Sequence, residues 1–511
     1  MLSEAKKNNR SRIKNSKLIQ PLDLVALGTI LVLSMGSFII FQWGDRNPSQ
    51  VVGFSWNNKQ AGVNEREFTL TFNRPVDRSS VEKNLQIEPL LPGKISWSGK
   101  TLHYTLTQMP IYGIDYKLNL QGAKEFYGRY TINHTSDKKT EKGMATLIEP
   151  YTASFSTRDL VFAYLGVEGE EKGRLLLYNL NEKKKKILTP TDLLVTKFEI
   201  YPDGEKILFT AFDRNINSPD YIPQQLYTVT TGLNFQSEDK KPVGKIKLIL
   251  DAKQYQNLKF DLSADGSTIV VQRINWDNQA ESSLWVLPSQ AKSRPLGIQG
   301  NKFLLAPDGQ KLAVIQKQGV VIVPLTEALG GSSQFLPNYT NAIGFSADGE
   351  NILTVRENQD YTRSLFLVSF EGLEKELFRT VGTIDQCLFE PRQQRELYCL
   401  TTNLVPTPSG YEQEPSLSAI DLKTGEDSPI LALTNYKEVN LSMSADGLSL
   451  LFDQIITTNT KPNDLVLTDS GKAISAGNIW ILSLSSLQSE DNSKIYPPQA
   501  LISGFKPRWV P

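Results

Sequence analysis

A short turn followed by an alternating apolar run recurs through the second part of the chain. It reads YPDGEKILFT at residues 201–210, and it returns as LAPDGQKLAVIQ, FSADGENILTV and MSADGLSLLF. Supersecondary units that recur at a roughly constant period bury their apolar faces by stacking on their neighbours. The repeat therefore restricts this region to a repeat architecture.

Five copies of the turn keep an Asp-Gly pair. Asp forms local hydrogen bonds in a tight turn and Gly accepts a positive φ without steric cost, so we expect these residues to be structural. The pairs are Asp203 and Gly204, Asp265 and Gly266, Asp308 and Gly309, Asp348 and Gly349, and Asp446 and Gly447. The sequence CLFEPRQQRELYCL is a degenerate copy between the last two.

Each turn is followed by a second apolar run and then by a weaker one. Four strands in about 40 to 45 residues are typical of a β-propeller blade. The carboxyl-terminal GFKPRWVP supplies the first strand that the segment beginning LVFAYLG lacks, and such closure removes exposed sheet edges. Counting this shared blade, we expect a closed seven-bladed propeller over residues 159–511. The six internal blades begin near residues 197, 258, 301, 341, 385 and 439.

The repeated words resemble the TolB-type propeller repeat of bacterial envelope proteins, whose signature is close to F-S-P-D-G-K-x-I-x-F. The resemblance covers about residues 159–511. It implies the fold and leaves the function open, because such propellers include peptidase-associated, enzymatic and purely binding members.

Short alternating runs precede the repeat, among them FTLTF, TLHYTL and ASFST. Their spacing predicts a small antiparallel sandwich. The words TFNRPVD, GKISWSGKTLHYTL and GAKEFYG, within residues 51–157, are similar to the SbsA-type Ig-like domain of S-layer and other envelope proteins. That resemblance implies a spacer or adhesion module. The expected fold class is all-β, an Ig-like β-sandwich followed by a seven-bladed TolB-like β-propeller, preceded by one transmembrane helix.

The amino terminus predicts a membrane anchor. Residues 1–21 form a basic tail, and residues 22–43 include an uncharged run from Leu24 to Trp43. About 20 apolar residues cross a bilayer core, and a basic flank stays cytoplasmic. We therefore expect a single-pass membrane protein with a cytoplasmic amino terminus and its bulk in the periplasm or another extracytoplasmic space. A cleaved signal peptide is the alternative, although no A-x-A-like site follows the run.

The composition argues against several functions. Lys plus Arg and Asp plus Glu are equal at 55 each, and no basic stripe with interleaved aromatics occurs, so we expect no nucleic-acid partner. His103, His134 and two cysteines supply little for a metal site or a His-based triad. The sequence has no P-loop, EF-hand loop or G-x-S-x-G elbow. We assign no catalytic residue, metal ligand or cofactor, and we expect both histidines to be structural.

Two local features keep alternatives open. Cys387 and Cys399 flank the degenerate turn symmetrically, and they are candidates either for a disulfide or for two buried small apolar residues in adjacent strands. The run EKKKK at residues 182–186 is either a solvated hairpin tip or a contact for an anionic polymer or lipid headgroups.

Three long polar insertions are the main indication of function. They lie at residues 212–225, 402–415 and 454–477, between the second and third strands of their blades, which places them on one face. We expect a non-catalytic scaffold that presents the propeller to a protein or envelope-polysaccharide partner. The alternative is an enzyme that processes envelope glycans or peptides in the propeller channel, for which three or more convergent ionisable groups are required. A passive surface-layer component is a third hypothesis.

Overall fold

A computed structural model describes most of the 511 residues. The described segments are 21–43, 48–62, 65–108, 110–126, 146–215, 223–233, 242–279, 281–325, 332–392, 394–408, 410–434, 436, 438–458, 466–484 and 497–511. Contacts between Cα atoms group the chain into two compact units. The first unit comprises Met1–Val52, Phe72–Asn84 and Leu120–Tyr151, and the second comprises Gly53–Thr71, Leu85–Asn119 and Thr152–Pro511.

The two α-helices of the described chain lie in the first unit, α1 at Pro21–Trp43 and α2 at Arg78–Asn84. Asp77 caps α2, because its Oδ1 accepts a hydrogen bond from the backbone N–H of Ser80 at 3.2 Å. Val81 is fully buried on the inner side of this helix. The Asp77 cap and the buried Val81 side chain thus both stabilise this short helix.

The structure corrects the expected membrane anchor. Across the segments described above, no helix combines the length and the apolar character that crossing a membrane requires. This finding overturns the expected transmembrane helix over residues 22–43 and the expected single-pass location.

Eight strands form two four-stranded sheets in the region before the repeat. The first sheet has the order β1-β3-β6-β5 and the second has the order β2-β8-β7-β4. The strands are β1 Val51–Phe54, β2 Gln60–Ala61, β3 Glu67–Phe72, β4 Leu85–Glu88, β5 Gly93–Ser98, β6 Thr101–Leu106, β7 Asp115–Leu120 and β8 Tyr151–Thr157.

Aromatic side chains join the two sheets. The ring of Phe155 in β8 lies 6.2 Å from that of Phe68 in β3, and 6.0 Å from that of Phe54 in β1. Tyr116 in β7 stacks on Phe155 with ring centroids 5.0 Å apart. Such rings contribute large apolar area to a small core. The packing is that of a two-sheet sandwich, and the Ig-like assignment stays a prediction.

The remaining strands form seven further four-stranded antiparallel sheets in the described part of residues 161–509. A 3₁₀ turn at Gly169–Glu171 follows the first of these strands. Strands β9 to β22 are β9 Val161–Leu165, β10 Leu175–Asn179, β11 Lys184–Ile187, β12 Leu193–Ile200, β13 Lys206–Asp213, β14 Gln225–Thr230, β15 Ile246–Leu250, β16 Tyr255–Leu262, β17 Thr268–Asn275, β18 Ser282–Pro288, β19 Arg294–Pro295, β20 Lys302–Leu305, β21 Lys311–Gln316 and β22 Gly319–Pro324.

Strands β23 to β36 complete these sheets. They are β23 Gln334–Pro337, β24 Asn341–Phe345, β25 Asn351–Glu357, β26 Arg363–Ser369, β27 Glu374–Thr380, β28 Ile384–Phe389, β29 Glu396–Thr407, β30 Gly410–Asp421, β31 Asp427–Ala432, β32 Leu441–Met443, β33 Ser449–Thr458, β34 Ala473–Ser483, β35 Gln499–Ser503 and β36 Phe505–Trp509.

The sheets follow one another around a closed ring. Six of them contain four consecutive strands, from β12–β15 to β32–β35, while the seventh has the order β11-β10-β9-β36. The first strands of successive sheets contact each other, as β16 does with β20 and β32 does with β36. Phe505 and Trp509 of β36 pair with Leu165 and Phe162 of β9. The prediction that the carboxyl terminus supplies the missing first strand is confirmed, and the architecture is all-β and propeller-like.

The core of this ring lies between neighbouring sheets. One cluster joins Leu353 and Val355 of β25 to Cys387 of β28 and Leu397 of β29. Strand positions with consecutive buried residues, as in Lys206–Asp213, have both faces covered by adjacent sheets. The first strands of successive sheets contact each other and surround the centre of the ring, and this arrangement positions the site described next.

Candidate functional site

The structure places all ten Asp-Gly residues in connections between the first and second strands of their sheets. The glycines adopt positive φ values, from 68° at Gly204 to 71° at Gly447. Asp265 and Asp348 each accept a hydrogen bond at 2.5 Å from the serine two residues earlier, and Asp446 accepts one at 2.6 Å. Within the turns, these carboxylates satisfy local donors, which is a structural role.

The degenerate copy of the turn uses a different carboxylate. Glu390 accepts hydrogen bonds from the backbone N–H groups of Arg392 at 2.8 Å and Gln394 at 3.1 Å. Cys387 pairs directly with Cys399 across β28 and β29, and the two are joined by a disulfide. The hairpin thus keeps its pairing where Asp-Gly is lost.

His103 and the lysine run have local partners outside the repeated turns. His103 Nδ1 lies 2.7 Å from Glu67 Oε1, and this hydrogen bond lowers the pKa of Glu67. His134 lies outside the described residues. In the EKKKK run, three lysines belong to the exposed outer strand β11 rather than to a hairpin tip, and Lys185 pairs with Glu171 at 3.0 Å. Among the described residues, no group of three or more His, Cys, Asp or Glu is arranged to hold a metal ion.

One expected insertion is not an irregular loop. Residues 402–415 lie in the extended pair β29 and β30, which stay in register from Glu396 and Asp421 to Thr407 and Gly410. The loop prediction was wrong because the polar, Pro-containing composition outweighed the alternating Thr, Leu and Val residues that favour strands. We call residues 403–413 the hairpin arm.

The hairpin arm exposes apolar and aromatic side chains. Leu404 is 40%, Val405 is 36% and Tyr411 is 75% exposed. The other two insertions extend strands β13 and β33, and their residues 216–222 and 459–465 lie outside the described residues.

Two adjoining cavities lie at the mouth of the central channel. The larger has a volume of about 480 Å³ and is bordered by the first strands β12, β16 and β36. The smaller, of about 210 Å³, is bordered by Asp385 of β28, Leu400 of β29 and Asn440, which directly precedes β32. Both cavities are lined by Asn440, Thr468, Asp469 and Lys506.

Residues from all three insertions reach these cavities. Phe212 and Gln224 come from the first insertion, Pro415 from the second, and Thr468 and Asp469 from the third. In an antiparallel four-stranded sheet, second-to-third connections leave the end opposite to the Asp-Gly turns. The three insertions therefore share one face and surround the channel mouth.

Three lysines of the first strands converge on the larger cavity, and we call them the channel lysines: Lys197, Lys259 and Lys506. Lys197 Nζ donates to the carbonyl of Phe260 at 2.7 Å, and Lys259 Nζ donates to that of Asn301 at 3.3 Å. Lys506 Nζ donates to the carbonyl of Thr196 at 3.2 Å. Each ammonium is held by backbone oxygen of a neighbouring sheet.

Carboxylates complete the mouth. Asp469 Oδ1 lies 2.7 Å from Lys506 Nζ. Desolvation of the Asp469 carboxylate raises its pKa. The positive charges of Lys506, Lys197 and Lys259 outweigh this effect and hold the pKa of Asp469 below its ordinary value. Asp385 and Glu438 line the smaller cavity. The larger cavity thus combines the three lysines with Glu199 and Asp469, and the smaller cavity adds Asp385 and Glu438.

Sequence reasoning missed the channel lysines, although the repeat contained a signal. Lys197, Lys259 and Lys302 stand at the same place relative to the turn aspartates of their copies, each directly before a phenylalanine. Aligning the copies on their turns reveals this recurrent lysine. It does not reveal which copies face a common cavity.

The fold and the cavities define an all-β, propeller-like protein with a ligand-sized opening at its channel mouth. No protein-family model and no curated protein sequence matches the chain. Among solved structures, the chain is similar to a putative TolB from Agrobacterium tumefaciens, with 12% identity, a TM-score of 0.36 and coverage of 68% of this chain and 90% of that one.

Two further matched structures show the same range of likeness. TolB from Acinetobacter baumannii has 12% identity and a TM-score of 0.36, and covers 68% of this chain and 80% of its own. An oligogalacturonate lyase from Vibrio parahaemolyticus has 11% identity and a TM-score of 0.40, with coverages of 67% and 84%. The propeller-like architecture of the present chain rests on its own strand pairing.

Proposed function

We propose that the chain is a non-catalytic binding protein that presents the insertion face of a seven-bladed TolB-like propeller to a protein partner, with the preceding Ig-like sandwich as a spacer. The observation that carries this proposal is the joint construction of the channel mouth by all three insertions. Surface loops carried on a rigid scaffold are the usual location of binding residues.

The hairpin arm supports a protein as the partner. Tyr411 and Val405 offer aromatic and aliphatic surface on the insertion face, and exposed aromatic side chains are typical anchors of protein interfaces. The arm's own backbone groups are paired within β29 and β30, so its side chains are available for contact without loss of the hairpin.

The test is site-specific photo-crosslinking with the full-length chain in extract of the cells that produce it. A photoreactive residue replaces Tyr411 on the insertion face, and in a matched control it replaces Leu373, which is 71% exposed in a third-to-fourth connection on the opposite face. We expect one protein to crosslink at position 411 and not at position 373. Equal capture at both positions, or none, contradicts the proposal.

A second variant separates the arm from the general surface. Replacing residues 404–411 with Asn-Gly shortens the hairpin arm while keeping a turn that joins two strands. The photoreactive residue is then placed at position 361, another exposed site in a second-to-third connection. We expect the native arm to give the crosslinked partner at this position and the arm-shortened variant to lose it. Capture of an envelope polysaccharide instead would replace the protein partner.

One observation favours the enzyme alternative. The larger cavity has more than three ionisable groups, among them Lys197, Lys259, Lys506 and Asp469, which is the condition set for a channel enzyme. The lowered pKa of Asp469 supports binding, because a carboxylate that stays ionised is a poor general acid and a weak base. Turnover of envelope glycans or peptides by the full chain, abolished in Lys506→Met, would favour the enzyme.

A further inference from the structure

Asp469 places a carboxylate of the chain itself on Lys506, one of the three channel lysines. The pair with Lys506 is asymmetric, since the Lys506 side chain is 13% exposed and that of Asp469 is 77% exposed. The ammonium belongs to the wall, and the carboxylate approaches it from the solvent side. The Asp469 carboxylate thus contacts the Lys506 ammonium as the carboxylate of a separate ligand would.

We propose that the channel lysines form a carboxylate-binding site, that Asp469 occupies it as an internal ligand, and that an acidic peptide segment of a partner displaces Asp469. This inference rests on the proposed binding function and names the chemistry of the same site. It assigns to Asp469 the role of a competitor that sets the threshold for binding.

The turn that carries Asp469 has a defined structure. The backbone N–H of Thr468 donates to the carbonyl of Lys472 at 2.8 Å, and that of Gly471 donates to Thr468 at 3.0 Å. Gly471 adopts a φ of 83°, a region that favours glycine. Ser470 Oγ also hydrogen-bonds to Glu438. The hydrogen bonds of this turn therefore determine where the Asp469 carboxylate lies.

The lysines retain capacity for an external carboxylate. An ammonium has three donors, and Lys197 and Lys259 each donate to one backbone carbonyl at 2.7 and 3.3 Å. Lys197 also lies 3.7 Å from Glu199. All three lysines line the same cavity as Asp469, and their positive charges lower the pKa of Asp469 against the effect of its desolvation.

The charge of the adjoining cavity favours a peptide over a polyuronate. Asp385 and Glu438 line the smaller cavity directly beside the lysines. A continuous polyanion that reaches the lysines meets these carboxylates with like charge, which costs affinity. A peptide with an isolated carboxylate avoids that contact, and the partly exposed Leu258 and Leu467 offer apolar surface to its neighbours.

The experiment measures binding of a fluorescent decapeptide by anisotropy. The peptide contains Gly, Ala and Leu with one central Asp, and its control has Asn at that position. We compare the full-length chain with Asp469→Asn and with Asp277→Asn, which removes the same charge from an exposed position outside the cavity. Because removal of a competitor raises the apparent affinity, we expect Asp469→Asn to bind the Asp peptide about tenfold more tightly than the other two proteins.

Three results would overturn the inference. They are equal affinities of Asp469→Asn and Asp277→Asn, an equal gain for the Asn peptide, and a gain retained when Lys506→Met is added to Asp469→Asn. A larger gain for oligogalacturonate than for the Asp peptide would replace the peptide with a glycan. Crosslinking through the hairpin arm remains an independent test, so failure here with capture at position 411 removes the internal ligand and leaves the proposed function standing.

Discussion

Asp453 shows how burial and hydrogen bonding oppose each other at a single residue. Its side chain is fully buried behind the channel mouth. It accepts hydrogen bonds from the backbone N–H and Nδ2 of Asn440 at 2.7 and 2.9 Å, and from the backbone N–H of Lys506 at 2.8 Å. Burial nevertheless raises the pKa of Asp453 to about 6, because these donors only partly replace water around the charge.

This raised pKa predicts a stability effect in a defined pH range. Since the folded-state pKa lies above the ordinary value of 3.8, the folded protein binds more protons between about pH 4 and pH 6. The stabilisation is present below this range and is lost as pH rises through it. The native chain and Asp453→Asn differ in their free energy of unfolding. This difference, native minus variant, should fall by up to about 3 kcal/mol as the pH rises through this range, at roughly 1.4 kcal/mol per pKa unit.

Urea unfolding at a series of pH values measures this difference. Asp277→Asn is the control, because it makes the same substitution at an exposed side chain. A pH-independent difference for Asp453→Asn would show that the buried carboxyl keeps an ordinary pKa.

At the scale of elements, two copies of the repeated turn have the same glycine conformation but different packing around it. Gly349 and Gly447 both have a φ of 71° in equivalent connections. A Cβ at Gly349 would have its nearest neighbour at 3.8 Å, whereas one at Gly447 would approach Glu390 at 2.9 Å and Pro391 at 3.2 Å. A Cβ therefore fits at Gly349 without a close contact, whereas at Gly447 it would meet closely packed neighbours.

Alanine substitution tests that distinction. Gly349→Ala should lower the free energy of unfolding by about 1 kcal/mol through the positive φ alone. Gly447→Ala should cost roughly 1 to 3 kcal/mol more, because it adds a steric conflict in a packed region. Chemical denaturation of both variants measures the two losses, and equal losses would contradict the packing difference.

For the whole molecule, closure depends on the last strand. Phe505, Trp509 and Val510 are 1%, 6% and 4% exposed, so the carboxyl terminus is part of the core. Trp509 meets Phe162 edge to face with ring centroids 5.7 Å apart. Without β36, the β9 strand would present an unpaired edge, which favours association between chains.

Deletion of residues 505–511 tests closure. We expect the truncated chain to lose several kcal/mol of stability, as large buried side chains each contribute about 3 kcal/mol or more, and to associate through the open edge. Thermal unfolding and light scattering measure these effects. The arm-shortened variant is the control, because it removes exposed residues and should keep the native melting temperature. A monomeric, equally stable truncated chain would show that the ring does not need β36.

The repeating sheets were predictable because their determinants are local. A turn such as Asp308–Gly309 specifies a hairpin through a few neighbouring residues, and alternating apolar runs specify the strands beside it. The hairpin arm at residues 403–413 was missed, since its composition is polar and Pro-containing and its strand pairing continues into exposed positions where burial imposes no pattern. The anchor prediction over residues 22–43 rested on an apolar run behind a basic flank, and it was overturned.

The sequence by itself determined the sheets and the joining of the chain's last strand to its first repeat, because turn chemistry, alternation and the incomplete first copy are all written along the chain. Only the tertiary structure decided which side chains meet at the channel mouth. Lys506 reaches the carbonyl of Thr196 across 310 positions of sequence, and Asp469 reaches Lys506 from a separate sheet. The physical reason is that such contacts depend on ring closure and on the angle of every first strand, which no local pattern encodes.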